Sequence, residues 1–210
     1  MSFESNRILG GIGALLMVIS ALGVLTWAYL LFLLLVGAIL VLIALKGFAD
    51  HYQDGGIFNN ALYGFISVIV GLVTTIAVFM MLVLQVLATI EVDWTNPMEI
   101  QQYFMNNMNV VWQIAGTAIG AFLVFYISVV LSAVLFRKAL DTLSTRSGEK
   151  MFGTAGMVLL IGALLTVVLI GLIVIWISWI LLAVGFFSIK AAQPPTQPAT
   201  VQPPPQPSSS

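Results

Sequence analysis

Three short segments hold the side-chain types from which chemistry could be built. Asp50-His51-Tyr52-Gln53-Asp54, followed by Gly55-Gly56, offers two carboxylates and an imidazole. With His51 and Asp54 one helical turn apart, these groups could ligate a divalent metal. A solvated turn at a membrane edge is the simpler reading. Met98, Met105 and Met108 could hold a soft cuprous ion through their thioethers. Beside Ile100, Tyr103 and Phe104 they read better as apolar filler. Ser147-Gly148-Glu149-Lys150 ends like a phosphate-binding loop, but the upstream glycine of that motif is missing. No nucleophile, base and orienting group fall into a recognisable pattern. The expectation is a non-enzyme with no catalytic, metal or cofactor site.

The elements that would carry these segments are set by composition. The chain has 210 residues, of which 60% are hydrophobic and 7% charged. A soluble domain is about 25% charged, so lipid is the main solvent. A net charge of −1 supplies no clustered basic face for a nucleic acid. The absence of cysteine excludes disulfides, thiol catalysis and Cys-ligated zinc, and a single histidine excludes a His-rich metal centre.

Ile8 to Leu45 is an apolar run of 38 residues. As one helix it would span about 57 Å, almost twice the roughly 30 Å hydrocarbon core. It reads as a hairpin with arms at about Ile8–Leu22 and Thr26–Leu45 and a turn near Gly23. The short first arm leaves a tilted or re-entrant segment open, and Ala21-Leu22-Gly23 has the small-x-small form of a signal cleavage site. A second 38-residue run, Phe152 to Ile189, reads as another hairpin. Ile12–Leu22 (IGALLMVISAL) and Ala155–Leu165 (AGMVLLIGALL) align, with Gly13 matching Gly156, which suggests a duplicated unit. Single crossings at about Asn60–Ala88 and Trp112–Phe136 complete six.

Six crossings place every cation on one side of the membrane: Arg7, Lys46, Arg137, Lys138, Arg146, Lys150 and Lys190. The excess of Lys and Arg marks the cytoplasmic face, so both termini are expected in the cytoplasm of a cell-membrane protein. The loop 91–109, with Glu91, Asp93 and Glu99, then lies outside. Trp27, Trp94, Trp112 and Trp176 fall near the outer boundary, where aromatic side chains favour the headgroups. In the outer loop, Asn96 should cap a short interfacial helix with Pro97 at its first position and Glu99 in its first turn.

No ionisable residue lies in the apolar cores, whereas proton relays and ion pathways use such groups. Ser67, Thr74, Thr75, Gln85, Gln113, Thr117, Ser128, Ser132, Thr166 and Ser178 read as helix–helix glue, with Gln85 and Gln113 near the outer surface. Gly116, Gly120, Ser128 and Ser132 form a stripe of small residues in the fourth crossing, including the GxxxG segment Gly116–Gly120. Small residues let helix backbones approach where lipid gives no hydrophobic drive, so the stripe is expected to pack helices, within one chain or between two. Gly120→Leu should disrupt assembly or expression. Arg137, Lys138, Arg146 and Lys150 form a cytoplasmic basic loop. Phe136, Leu140 and Leu143 extend an apolar stripe from the fourth helix into the cytoplasm, where it would rest on anionic lipid.

Residues 191–210 hold seven of the eight prolines among Gln, Ser and Thr. Such a segment cannot offset the entropy of ordering and is expected to be a disordered tail. Pro195–Pro198 and Pro204–Pro207 could dock a protein partner.

Leu9–Leu16 (LGGIGALL), Asn59–Ile66 (NNALYGFI), Phe136–Gly156 (FRKALDTLSTRSGEKMFGTAG) and Trp179–Lys190 (WILLAVGFFSIK) resemble a prokaryotic, largely archaeal membrane family, domain of unknown function 996. The likeness covers roughly residues 6–190. It implies a multi-pass membrane protein and carries no catalytic residue over. Some relatives resemble chains ending in a zinc-ribbon-like or Pro-rich extension, and without cysteine only the latter can apply here.

The fold expected is therefore an all-α integral membrane protein: a six-helix domain over residues 1–190, arranged as hairpin, two single crossings and hairpin, and a Pro-rich tail over 191–210. The function expected is a membrane scaffold or interaction protein, with a permease or channel for a small neutral or apolar solute as the alternative. Partners are the lipid bilayer, a cytoplasmic protein at the tail, a second copy of the chain, and no nucleic acid.

Overall fold

The computed structural model describes residues 2–23, 30–89 and 95–190. The expected first hairpin turn, Trp27, Trp94, the acidic pair Glu91 and Asp93, and the Pro-rich tail lie outside them. The described residues are helical in seven segments: α1 (Phe3–Gly23), α2 (Leu30–Tyr52), α3 (Gly55–Thr89), α4 (Pro97–Asn106), α5 (Met108–Ser147), α6 (Lys150–Leu165) and α7 (Ile170–Ser188). Among them no strand occurs. A short 3-10 turn, Thr166–Val168, joins α6 to α7. This is an all-α, multi-pass membrane protein.

Five helices are long and apolar enough to cross a bilayer: α2, α3, α5, α6 and α7. α1 opens with Glu4, Asn6 and Arg7 and is apolar only beyond them. It nonetheless runs antiparallel along α2. Phe3 meets Phe48 edge-on at 5.4 Å, Asn6 rests on Gly47, and Gly13 rests on Gly37 and Leu40. α1 therefore covers the same depth as α2, held by packing more than by its own hydropathy.

The remaining pairs are antiparallel as well. Gly10 and Gly11 of α1 receive the rings of Phe186 and Phe187 from α7, and Trp176 Nε1 donates to the Val18 carbonyl at 3.1 Å. α6 and α7 close at Gly162 and Gly171 near the tip, and Ser178 Oγ donates to the Ala155 carbonyl at 2.8 Å. α5 packs on α6 where Gly156 lies against Arg137 and Leu140. α3 packs on α5 through Gly64 against Ser132 and Phe136, and through Gly71 against Ser128. Tight helix contacts thus fall at glycines, as expected where dispersion must replace hydrophobic drive.

The core sits at the end of the bundle that carries the charges. Phe48, Phe152 and Phe186 are fully buried there, with ring centroids 6.1 Å apart for Phe48–Phe186 and 5.1 Å for Phe152–Phe186. Ile57, Leu140, Leu143 and Ile189 complete it. α3 and α5, 35 and 40 residues long, span about 52 and 60 Å. Their distal halves present Met80, Met81, Leu84 and Ile119 outward, as lipid-facing helices do.

Several expectations are corrected. The stretch expected as a basic loop is helical to Ser147, and only Gly148 and Glu149 connect α5 to α6. Leu140 and Leu143 do not rest on lipid: their stripe is buried against the core, which is what keeps the helix going. The matched glycines Gly13 and Gly156 are not equivalent, since one packs on the following helix and the other on the preceding one.

Candidate functional site

The charged end of the bundle is where this chain brings its polar groups together. The α2–α3 connection is short and sharp, with Gln53 in the left-handed region at φ 52°. Asp54 organises it. Its Oδ1 accepts from the Gly56 N–H at 3.0 Å, capping the start of α3. Its Oδ2 accepts from Arg146, 3.0 Å from both Nε and Nη2. Arg146 lies in the last turn of α5, so one ion pair ties the α2–α3 connection to the α5–α6 connection.

The second connection is built from its sequence with equal economy. Gly148 takes φ 75°, the left-handed cap that glycine reaches without a Cβ clash. Glu149 caps α6 by accepting from the Met151 N–H at 3.2 Å. Ser144 Oγ donates to the Glu149 carbonyl at 2.9 Å, and Ser147 Oγ accepts from the Glu149 N–H at 3.2 Å. Two residues suffice because both helix ends are satisfied locally.

Around these connections lie the cations. Arg137 pairs with Asp141 at 3.5 Å, one turn along α5, and Arg7 with Glu4 at 3.4 Å along α1. Lys46 Nζ stands 6.0 Å from the Phe58 ring centroid, near the limit of a cation–π contact. Lys138, Lys150 and Lys190 are exposed and have no ion pair among the described residues. The four predicted basic residues are thus spread over a rim: Arg137 and Lys138 one turn or more inside α5, Arg146 committed to Asp54, and Lys150 opening α6.

The Asp50–Asp54 segment is not a chelating loop. His51 packs edge-on against Phe3 at 5.1 Å and Tyr52 at 4.9 Å, while Asp54 is engaged by Arg146. Among the described residues no three His, Cys, Asp or Glu side chains are grouped to hold a metal. Met98, Met105 and Met108 are each more than half exposed and do not converge.

The small-residue stripe divides. Ser128 and Ser132 pack on α3, with the Ser128 carbonyl accepting from Ser67 Oγ at 3.3 Å. Gly116 and Gly120 face open space, with nothing within 4 Å of the position a Cβ would take. Gly120→Leu therefore has no contact among the described residues of one chain through which to disrupt it. Gln85 and Gln113 do meet, with Tyr103 of α4, at a small cavity of about 60 Å³ also lined by Leu82 and Val110. α4 itself starts as its sequence dictates: Asn96 caps it by accepting from the Met98 N–H at 3.1 Å, and its amide donates to Glu99 at 3.1 Å.

The family model described as "Protein of unknown function (DUF996)" matches residues 33–180, from α2 into α7. The chain belongs to this family. The DUF996 chain is also 30% identical, over 193 residues, to an uncharacterized protein of Methanocaldococcus jannaschii, an alignment covering 90% of this chain and 94% of the relative. No solved structure matches it. The two connections built by Asp54, Arg146, Gly148 and Glu149 both fall inside the matched region. Neither ion pairing across connections nor the meeting of Gln85 with Gln113 was signalled by local spacing, since each joins residues distant along the chain.

Proposed function

We propose that this DUF996 protein is a non-enzymatic membrane scaffold that presents a charged rim and a Pro-rich tail to a cytoplasmic partner. The single observation carrying the reading is the division of the molecule. Phe48, Phe152 and Phe186, all fully buried, close the charged end, and the exposed lysines Lys138, Lys150 and Lys190 stand around that closure. Six crossings, α1 included, put the rim and both termini on one side. The excess of Lys and Arg assigns that side to the cytoplasm and the chain to the cell membrane. Affinity purification from native membranes, with and without residues 191–210, tests the reading. A partner lost with the tail supports it, and a homogeneous preparation unchanged by truncation argues against it.

A permease for a small neutral solute is the second reading, favoured by Gln85, Gln113 and Tyr103 lining a common cavity near the far ends of α3 and α5. An uptake difference between deletion and wild-type cells, abolished by Gln113→Leu, would favour it over the scaffold.

A further inference from the structure

A second concave surface lies between α1 and α7, away from both features above. It is a groove of about 500 Å³, walled by Leu15 and Val18 on one side and Ile180, Val184 and Phe187 on the other, with Ala183 at its floor. Small residues create it. Gly11 lets the Phe187 ring lie against the α1 backbone, where a Cβ would come within 2.5 Å of that ring. Ala183, only 3% exposed, leaves the space between Ile180 and Phe187 unfilled. From Ile180 to Ser188 the groove follows α7 for about 12 Å, close to the roughly 15 Å of hydrocarbon in one leaflet. It runs along two membrane-spanning helices, the direction in which a lipid chain lies.

One end of this groove is charged. Arg7 lies one turn before Gly11 on the same face of α1, and Lys190 follows Ser188, the last lining residue. Arg7 Nη2 meets Glu4 Oε2 at 3.4 Å, and the Arg7 side chain is 32% exposed. Lys190 is exposed and has no ion pair among the described residues. Two cations against one carboxylate leave the mouth positive. A phosphate oxygen is the acceptor that fits a guanidinium best.

We propose that the α1–α7 groove binds one membrane lipid with an anionic phosphate headgroup. A hydrocarbon chain occupies the groove along Val18, Ile180 and Val184, and the phosphate pairs with the Arg7 guanidinium and with Lys190. This lipid is distinct from the bulk bilayer because the mouth selects its headgroup by charge and the walls select a chain.

The test uses the full-length protein in detergent, with native mass spectrometry for stoichiometry and thermal unfolding for stabilisation. Phosphatidylglycerol, phosphatidylcholine of the same chains, and inorganic phosphate are added separately. The anionic lipid should bind one to one and raise the melting temperature. The zwitterionic lipid should bind at least about fivefold more weakly, the effect of roughly one basic residue at a membrane surface. Inorganic phosphate alone should give no shift. Val184→Trp fills the groove from a position 42% exposed and should abolish one-to-one binding. Lys190→Gln, outside the packed core, should weaken the anionic lipid about fivefold and leave the zwitterionic one unchanged. Equal binding of the two lipids, undiminished binding in Val184→Trp, or a full shift from inorganic phosphate would each overturn the proposal.

Discussion

Gly13→Ala and Gly120→Ala should move stability in opposite directions, although both place one methyl group on a membrane-spanning helix. A Cβ on Gly13 would stand 2.7 Å from the Gly37 carbonyl oxygen and 2.9 Å from Leu40 Cβ. Neither atom is the tip of a flexible side chain, so α1 and α2 must separate to admit it. Overpacking of this kind costs about 1–3 kcal/mol, and the better helix preference of alanine returns about 0.5–1 kcal/mol. The net expectation is a loss of up to roughly 2.5 kcal/mol. Gly120 meets nothing within 4 Å, so only the preference remains, a gain of about 0.5–1 kcal/mol. Unfolding in mild detergent by titration with a denaturing detergent, followed by circular dichroism, resolves a difference of this size. Changes of the same sign would refute the assignment of Gly13 to a helix contact and Gly120 to a free face. A loss in Gly120→Ala that grows with protein concentration would instead show a second copy of the chain packed on that face.

Three further outcomes follow from the packing and the charges. With no native cysteine, single cysteines at Thr26 and Asn107 should react with an impermeant maleimide in intact cells and one at Ser147 should not; labelling at Ser147 would invert the proposed orientation. Asp54→Ala should cost about 1 kcal/mol more than Arg146→Gln in thermal unfolding, because Asp54 caps α3 as well as pairing, whereas an exposed pair alone is worth under about 1 kcal/mol; equal losses would show the cap to be inert. Phe186→Ala empties the centre of the aromatic closure and should cost about 3–5 kcal/mol, seen as loss of folded protein on purification, and wild-type melting would show the closure to be dispensable.

What was legible in the sequence was whatever depends on local chemistry. Apolar runs of helical length and the cap at Asn96 are each decided by a few neighbouring residues, and the structure has them where the sequence places them. What depends on a partner far along the chain was misread or missed. Leu140 and Leu143 look lipid-facing because nothing nearby reveals that Phe152 and Ile57 are fully buried in the same core. At Gly116 and Gly120 the spacing gives a face and not the neighbour, and among the described residues of one chain nothing lies within 4 Å of a Cβ there. Gly10, Gly11 and Gly47, which do make contacts with Phe186, Phe187 and Asn6, have no such motif. In a membrane every helix is apolar on most sides, so periodicity loses the contrast that marks a buried face in water.

The same physics bears on where function can reside. Beside the aromatic cluster the helix contacts leave no room for a Cβ: one added at Gly10 would run into the Phe186 ring and one at Gly47 into Asn6. The bundle around the aromatic cluster is therefore a close-packed solid at that end, and a packed core is bistable only where an element has a second arrangement. The α1–α7 groove and the cavity at Gln85 and Gln113 are two places among the described residues where packing is left incomplete, and both lie on the periphery. On the scaffold reading, ligands would bind along such flanks and a partner across the charged rim. Lipid at the groove and protein at the rim would then act on the same element, since α7 lines the groove and ends at Ser188, two residues before Lys190 and the Pro-rich segment. A lipid held between Arg7 and Lys190 would fix the point from which that segment leaves the membrane.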